Sequence, residues 1–128
     1  MKEKWTTANA PTPSRCIAQV SLDRNIGIGY ISGLVSQKPD GTVIADAPVT
    51  EQTRIILENM KAIVTDLGLT MENVIKTNIF LRDMNDFNAM HEVYCEFFTD
   101  ENPPARQCVQ SGIWNNLAIE ISAEITLK

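Results

Sequence analysis

The sequence predicts an α+β fold, in which two amphipathic helices cover one face of a single mixed sheet. Two segments carry apolar residues at three- and four-residue spacing, as helices do, and other segments carry short β-branched runs or apolar–polar alternation, as strands do. In chain order they read as two strands, a short third strand, a helix, a strand, a helix and two strands. Because 128 residues build one core of ordinary size, we expect a single domain over residues 1–128.

The first predicted element is a hairpin. Apolar, β-branched runs at residues 16–20 and 26–35 flank the polar residues 23–25, which favours two strands joined by a tight turn. The next segment, residues 38–41, has the sequence Lys-Pro-Asp-Gly, in which proline fixes φ and glycine supplies a positive φ. This turn precedes a short extended piece at residues 42–45, which we expect to be the third strand.

The first predicted helix begins near Pro48, a residue suited to a first helical turn, with Asp46 as its N-cap. Gly68 ends the helix, since glycine is the usual residue at the C′ position. The residues that recur at helical spacing between these limits are Val49, Thr53, Ile56, Met60, Ile63, Val64 and Leu67.

A half-polar strand and the second helix follow. In the strand, residues 74–81, we expect one face to carry Ile75, Thr77, Ile79 and Leu81 and the other to carry Lys76 and Asn78. The second helix begins after Asp83 and is predicted to be long, because the first sequence that stops it is Asn-Pro-Pro at residues 102–104. Its apolar stripe consists of Phe87, Met90, Val93 or Tyr94, and Phe97.

Two strands close the sequence. One starts at Arg106, and the other is the clearest strand signal of the chain, because apolar and polar residues alternate over residues 117–127. We expect Arg106, Cys108 and Gln110 to share the sheet face that the helices leave uncovered, and Glu120 to lie on the same face. This mixed face is expected to be buried against partner subunits, which makes the protein an oligomer.

Composition and charge exclude several function classes. The net charge of −5 comes from scattered acidic residues without a basic run, which disfavours nucleic acid as a partner. The chain has no stretch of about eighteen apolar residues and no signal peptide, so we expect no membrane association. Three widely spaced cysteines, Cys16, Cys95 and Cys108, form neither a complete disulfide framework nor a metal knuckle and fit reduced thiols in a cytoplasmic protein.

His91 is the only histidine of the chain. A Ser-His-Asp triad would have to use it, and a metal site with several histidines is excluded. It lies beside the apolar stripe of the second helix, so we expect a surface or interface position and no catalysis by it.

Four features suit a chemical role, and each has an ordinary structural alternative. The planar guanidinium of Arg106 suits capture of a carboxylate, although most arginines are surface residues. Glu120 suits the orientation or deprotonation of a water, although a solvated strand glutamate is commoner. Cys108 suits a nucleophile, although a lone strand cysteine is more often a small buried apolar residue. The backbone amides of residues 32–33 suit an anion, although a turn explains them equally.

Two motifs stand in the last third of the chain. These are Pro104-Ala105-Arg106-Gln107-Cys108-Val109 and Ile119-Glu120-Ile121-Ser122-Ala123. They resemble the hallmark of the Rid/YjgF/L-PSP family, and the resemblance extends over nearly the whole chain. Its other parts are Asn9-Ala10-Pro11, Ile31-Ser32-Gly33, Asn59-Met60-Lys61-Ala62-Ile63, Val74-Ile75-Lys76-Thr77, Asp83-Met84-Asn85-Asp86-Phe87, Tyr94 and Phe97-Phe98.

The resemblance implies a chorismate-mutase-like α+β domain, with a mixed six-stranded sheet, two helices on one face, and a homotrimer whose clefts lie between neighbouring subunits. In the deaminase branch of the family, it implies hydrolysis of enamines or imines to a ketone or keto acid and ammonia, without a metal or an organic cofactor. It also implies that Arg106 holds the carboxylate of a small substrate, a 2-imino acid, and that Glu120 positions the attacking water with the backbone carbonyl of Cys108.

Several positions depart from the founding type of the family, which has a tyrosine at Ile17, a glutamine at Leu34 and an asparagine at His91. The loop of residues 111–116 is one residue shorter and contains Trp114. These changes indicate a divergent subgroup whose substrate differs from 2-aminoacrylate and is larger or aromatic-derived, such as an aminomuconate. The predicted substrate-binding set consists of Arg106, Gly33, Ile17, Leu34, His91 and Trp114.

Two other functions stay open at this point. A non-catalytic or chaperone-like trimer would use the same clefts to hold small carboxylates. The absence of the family tyrosine at Ile17 favours this function, whereas the presence of Arg106 and Glu120 opposes it. An endoribonuclease is suggested by the L-PSP name of the family, but the acidic charge and the lack of a basic groove count against it.

Overall fold

The computed structural model describes residues 1–128 as one six-stranded sheet with two helices on one of its faces. The elements are β1 (Glu3–Trp5), β2 (Val20–Asp23), β3 (Ile28–Val35), α1 (Val49–Asp66), β4 (Val74–Leu81), α2 (Phe87–Tyr94), β5 (Ala105–Gln110) and β6 (Ile119–Thr126). The sheet order is β1-β2-β3-β6-β4-β5, and all neighbouring strands are antiparallel except β4 and β5. The predicted α+β architecture is confirmed. Neither helix is long and apolar enough to cross a membrane.

The side chains of β6 alternate between the two faces of the sheet. Its odd-numbered residues between 119 and 125 are buried in the core, while its even-numbered residues between 120 and 126 are half-buried on the other face. The core also takes Ile56, Met60 and Ile63 from α1, and all three are fully buried. Burial of each such side chain contributes about 1.5–3 kcal/mol, so this layer of apolar contacts holds α1 on the sheet.

The helix α1 ends where the sequence predicts and begins slightly differently. Gly68 has a φ of 80°, and its amide donates to the carbonyl of Thr65 at 2.9 Å, which closes the last turn. At the other end, Pro48 is the N-cap residue and makes no side-chain hydrogen bond. The prediction of Asp46 as the cap is therefore wrong, because the helix begins one residue after the proline.

The sixth strand is β1 and not the predicted extended piece at residues 42–45. β1 pairs antiparallel with β2, and Trp5 lies opposite Val20. Residues 42–45 contribute only an isolated bridge between Gln37 and Val43. The tight turn before them folds them back on the preceding residues, so their backbone pairs locally and never reaches the sheet.

The strand β2 is shorter than predicted, although the hairpin that it forms with β3 is confirmed. The two strands pair antiparallel, with Asp23 opposite Ile28. The strand begins at Val20 and not at residue 16, because Cys16 has a φ of 70°, which lies in the left-handed region and cannot continue a strand.

The helix α2 has eight residues, so the prediction of a long second helix is wrong. A single tight turn at Met84–Asp86 precedes it, and the chain leaves the helix after Tyr94. Phe97 still packs against the core from the turns that follow. The apolar spacing therefore continues beyond the end of the helix. There it reflects the burial of Phe97 and not helical geometry.

The strand β4 has the predicted bounds, but one of its residues lies differently. The pairing of β4 with β6 shifts register between Val74 and Lys76, which is the sign of a bulge. Ile75 lies in this bulge and is 42% exposed. The prediction that Ile75 shares one face with Thr77 and Ile79 is therefore wrong.

Candidate functional site

A cavity of about 500 Å³ lies beside Glu120, between β3, the loop before β6 and the segment that precedes β2. We call it the Glu120 cavity. Five of the predicted site residues line it, namely Ile17, Gly33, Leu34, Trp114 and Glu120. These residues come from four separate segments of the chain, so only the folded sheet brings them together.

Gly33 allows Glu120 to take its place in the cavity wall. The two residues lie on the neighbouring strands β3 and β6, where the pairing shifts register between Ile31 and Leu34. A Cβ atom on residue 33 would lie 2.4 Å from Glu120 Oε2. No side chain fits at that distance, so the absence of one at position 33 lets the carboxylate lie against the β3 backbone.

Burial raises the pKa of the Glu120 carboxyl above its ordinary value. The carboxylate loses part of its hydration in the cavity wall, and no ion pair or hydrogen bond offsets that loss. A carboxylate with a raised pKa is a better proton acceptor than one in water. Glu120 is also the only charged residue that lines the cavity, so it sets the sign of the local potential.

The loop at residues 11–17 forms one wall of the cavity. Ile17 is the only residue of this loop that belongs to the predicted site. The buried side chain of Gln19 holds this loop, because it accepts from the amide of Thr7 at 2.8 Å and donates to the carbonyl of Pro11 at 3.0 Å. Ile17 is left 50% exposed at the cavity. Helical and strand spacing do not reveal such a wall, since its hydrogen bonds join irregular segments 8 and 12 residues apart along the chain.

Trp114 lies in the loop between β5 and β6 and is 60% exposed. The two residues after it, Asn115 and Asn116, have φ values of 58° and 54°. Asparagine adopts this left-handed conformation more readily than most residues do. The guanidinium of Arg82 donates to the carbonyl of Asn116 and anchors the end of the loop. The indole is therefore presented at the cavity from a constrained backbone.

Arg106 lies in a second cluster, at the edge strand β5 and on the helix side of the sheet. It pairs with Thr77 of β4, whose hydroxyl shares a hydrogen bond of 2.8 Å with Tyr94 Oη in α2. The guanidinium lies over the rings of Tyr94 and Phe87, with its carbon at 4.8 and 5.3 Å from their centroids. The negative ring faces attract the cation and fix its position at the protein surface.

His91 completes this group, which we call the Arg106 cluster. Arg106 Nη1 donates to His91 Nδ1 at 2.9 Å, which requires an unprotonated Nδ1 because a guanidinium cannot accept. The imidazole stacks on Phe87 with 6.0 Å between centroids, and its Nε2 lies 3.5 Å from Cys95 Sγ. His91 is exposed, as predicted, and it contacts Arg106 instead of lining the Glu120 cavity.

Cys108 lies two residues along β5 from Arg106, and its half-buried side chain packs against the core. Burial raises the pKa of its thiol, although the nearby guanidinium of Arg106 opposes the shift. A thiol with a raised pKa is protonated near neutral pH and is a poor nucleophile. The structure therefore favours Cys108 as a small apolar residue and not as a nucleophile. Its backbone carbonyl remains the group of this residue that could contact a substrate or a water.

The expectation that Arg106 and Glu120 share the uncovered face is wrong. Arg106 pairs with Thr77, and Glu120 pairs with Phe80, three positions further along β4. Directly paired residues point to the same side, and positions three apart along a strand point to opposite sides. The two residues are separated by two strand spacings and three residues, roughly 14 Å along the sheet. Within one chain they cannot bind one small molecule.

The structure thus divides the predicted residues into two groups with different chemistry. The Glu120 cavity offers a proton acceptor beside apolar walls, and the Arg106 cluster offers a fixed cation that suits a carboxylate. No group of three or more His, Cys, Asp or Glu side chains converges anywhere in the chain. No set of metal ligands can therefore be named in either group.

Comparison with known proteins gives one family and relatives that cover most of the chain. A family model described as endoribonuclease L-PSP matches residues 7–126. A RutC family protein of Pyrococcus horikoshii is 40% identical over 124 residues, which cover 96% of each chain. The 3-aminoacrylate deaminase RutC of Acinetobacter baylyi is 35% identical over 102 residues, which cover 80% of each chain. The crystal structure of E. coli TdcF with bound serine has a TM-score of 0.85 at 34% identity, and covers 97% of this chain and 98% of that one.

Proposed function

Because this chain belongs to the Rid/YjgF/L-PSP family, we propose that it hydrolyses reactive 2-imino acids, or their enamine tautomers, to keto acids and ammonia. Two relatives support this chemistry. One is named a 3-aminoacrylate deaminase, whose substrate is an enamine that carries a carboxylate, and the other holds serine, which also carries a carboxylate. The chain has a candidate group for each need of the reaction: Arg106 for the carboxylate and Glu120 for the water.

The observation that carries the proposal is the separation of Arg106 from Glu120 on opposite faces of one sheet. A small substrate can contact both residues only if they come from different chains. We therefore place the active site between subunits, with the Arg106 cluster of one chain against the Glu120 cavity of the next. Contacts of this head-to-tail kind can close into a ring, which agrees with the homotrimer that the family resemblance implies.

In this site, the guanidinium of Arg106 binds the substrate carboxylate through two parallel hydrogen bonds. The aromatic rings beneath the guanidinium and the acceptor on His91 fix its orientation before the substrate arrives. Because the geometry is set in advance, little ordering is needed when the carboxylate binds. The carbon of the C=N bond is thereby held at one position relative to Glu120.

The water attacks this carbon of the protonated C=N group while Glu120 takes one of its protons, which forms a carbinolamine. The proton then passes from Glu120 to the amine nitrogen. Glu120 next takes the hydroxyl proton, so that the carbonyl forms as the C–N bond breaks and ammonia leaves. The raised pKa of Glu120 suits both steps, because the same group must accept a proton and return it. The backbone carbonyl of Cys108 is the second acceptor for the water that the family resemblance implies.

Mixed oligomers test the division of the site directly. Arg106→Ala and Glu120→Gln each remove one half of every site, so each variant alone should keep only a small residual activity, about 1% of wild type or less. Coexpression of the two variants with different affinity tags, followed by purification through both tags, yields mixed oligomers. In every mixed homotrimer, one of the three sites, about a third of the total, pairs an intact Arg106 with an intact Glu120.

The expected result is ammonia release at about a third of the wild-type rate from imino acids that an amino-acid oxidase generates in the assay. The doubly substituted protein, which carries both changes in every chain, is the matched control and should stay inactive. Mixed oligomers as inactive as this control would contradict the intersubunit site. Wild-type protein that leaves the spontaneous hydrolysis rate unchanged would contradict the deaminase itself and favour a carboxylate-binding protein.

The name of the matching family model raises the question of ribonuclease activity. Cleavage of RNA requires a surface that binds a phosphate backbone, usually through several lysines and arginines. The net charge of this chain is −5, and Glu120 is the only charged residue that lines the cavity. This charge distribution repels RNA and supports the deaminase instead.

A further inference from the structure

We propose that the natural substrate carries one carboxylate and an apolar or aromatic side chain, and that Ile17 and Trp114 bind this side chain in the Glu120 cavity. The inference rests on the proposed function, because it assigns the substrate carboxylate to Arg106. It goes further by naming the class of 2-imino acid: those related to amino acids with large apolar side chains. Three properties of the cavity support it, namely its charge, its walls and its size.

The charge of the cavity excludes a second carboxylate. Glu120 is the only charged lining residue, and no lysine or arginine lines the cavity to balance a further negative charge. A dicarboxylate would bring its second anion within a few ångströms of the Glu120 carboxylate, at a site where partial burial weakens screening by water. This argues against the aminomuconate that the departures from the family sequence suggest, and against acidic side chains in general.

The walls of the cavity are apolar where the side chain of a substrate would lie. Ile17 and Trp114 are 50% and 60% exposed, and both line the cavity together with Leu34 and Val35. Large apolar side chains that stay exposed in this way gain most when a ligand covers them.

The size of the cavity points to the same class. Sites for small molecules commonly enclose about 300–1,000 Å³, and the present cavity has about 500 Å³. A three-carbon substrate such as 2-aminoacrylate would leave most of this space to water. A phenyl or isobutyl group would fill it and bury the indole and the side chain of Ile17.

Trp114 is held in position well enough to select between side chains. The left-handed backbone at Asn115 and Asn116 and the hydrogen bond from Arg82 to Asn116 restrict the loop that carries the indole. A preorganised wall discriminates better than a mobile one, because the ligand does not have to order it. The competing explanation is that a neighbouring subunit covers Trp114, which would make it an interface residue.

Kinetic measurements on the purified full-length protein test the substrate class. The imino acids related to phenylalanine, leucine, alanine and glutamate are generated in place by amino-acid oxidases, and their hydrolysis is followed by semicarbazide trapping. The wild-type kcat/KM should be roughly tenfold or more higher for the phenylalanine- and leucine-derived imines than for the glutamate-derived imine. Equal values, or a preference for the glutamate-derived imine, would overturn the inference while leaving the proposed function intact.

The variant Trp114→Ala should lower the ratio of kcat/KM for the phenylalanine-derived imine to that for the alanine-derived imine by about tenfold. Trp5→Phe is the matched control, because Trp5 is the other tryptophan, lies in β1 and does not line the cavity. It should leave the ratio unchanged. Light scattering on both variants gives the oligomer size, and dissociation of Trp114→Ala alone would assign Trp114 to the interface and overturn its role as a wall.

A binding measurement separates the failure of this inference from the failure of the proposed function. Calorimetric titration with 3-phenylpropionate and with succinate needs no turnover. Tighter binding of 3-phenylpropionate by roughly tenfold, lost in Trp114→Ala, would support the ligand class even if no imine were hydrolysed. Tighter binding of succinate, or no preference between the two, would overturn it. Arg106→Ala should weaken the binding of both ligands.

Discussion

The Glu120 cavity and the Arg106 cluster belong to one sheet but are built in different ways. The cavity gathers residues from distant segments, and its carboxylate lies against a backbone that has no side chain at Gly33. The Arg106 cluster is local, because one short helix supplies Phe87, His91 and Tyr94 to the guanidinium. The cavity therefore depends on the packing of the whole domain, whereas the cluster depends on the contact of α2 with β5.

The largest effect should come from the Arg106 cluster, since it holds the only cation that we assign to the substrate. Arg106→Ala should reduce kcat/KM on the order of 10²–10⁴-fold, because two charge-assisted hydrogen bonds are lost at about 1.5–3 kcal/mol each. Steady-state assays of imine hydrolysis measure this. Arg54→Ala is a matched control, because Arg54 forms only an exposed pair with Glu96, and it should change kcat/KM less than about twofold. A loss of activity equal in both variants would contradict the assignment.

The next effect should come from the contact between Gly33 and Glu120 in the cavity. Gly33→Ala places a methyl group 2.4 Å from the present position of Oε2, so the carboxylate must move and kcat should fall by about tenfold or more. Circular dichroism should show that the fold is kept. Gly112→Ala is the control, because a methyl group there meets no atom within 4 Å. Full activity of Gly33→Ala would show that the position of the carboxylate is not important.

The pH dependence should distinguish the cavity from the cluster. Burial raises the pKa of Glu120 above the ordinary value of 4.5, so the acidic limb of the pH profile of kcat/KM should lie above pH 4.5. The rate should rise with pH as the carboxyl loses its proton, and the residual activity of Glu120→Gln should lack this limb. Since the folded state favours the protonated form, stability should fall as pH rises from 4.5 through the raised pKa, and Glu120→Gln should remove that fall. A limb that survives in the variant would assign it to another group.

The smallest effect should be that of the Cys108 side chain. Its thiol has a raised pKa and packs against the core, while the resemblance to the family gives a role only to its backbone carbonyl. Cys108→Ala should therefore keep kcat/KM within about twofold, with a modest loss of stability from the smaller side chain. Thermal unfolding and turnover measure the two quantities separately. A loss of activity beyond about a hundredfold would restore the nucleophile as an explanation.

The elements that the sequence predicts well are those with a strong local pattern. The alternation of residues 117–127 predicts β6 because every second side chain enters the core, and Gly68 predicts the end of α1 because its φ is positive. The short strand β1 has no such pattern, since three residues show no periodicity and only the pairing with β2 defines it. The sequence does not predict the end of α2, because Phe97 continues the apolar spacing in a turn.

The sequence predicts the candidate site less well than the fold, because the site depends even more on pairing between distant segments. The sequence predicts the wrong face for Arg106, because β5 has no alternation of apolar and polar residues and its orientation depends on its pairing with Thr77 of β4. Only the resemblance to a family points to Ile17, Leu34 and Trp114, and no spacing in the chain brings Ile17 near Trp114. Such proximity follows only from the sheet order, which single-sequence patterns do not contain.

The alternation along β6 has a consequence for the tolerance of this protein to mutation. The buried odd-numbered positions from 119 to 125 should govern how much folded protein a cell accumulates. Substitutions there create cavities in the core or leave polar groups in it without hydrogen-bond partners. Position 120 should instead govern turnover at constant abundance. A saturation library scored separately for protein abundance and for growth under imine stress should therefore show two profiles along β6 that are one residue out of phase.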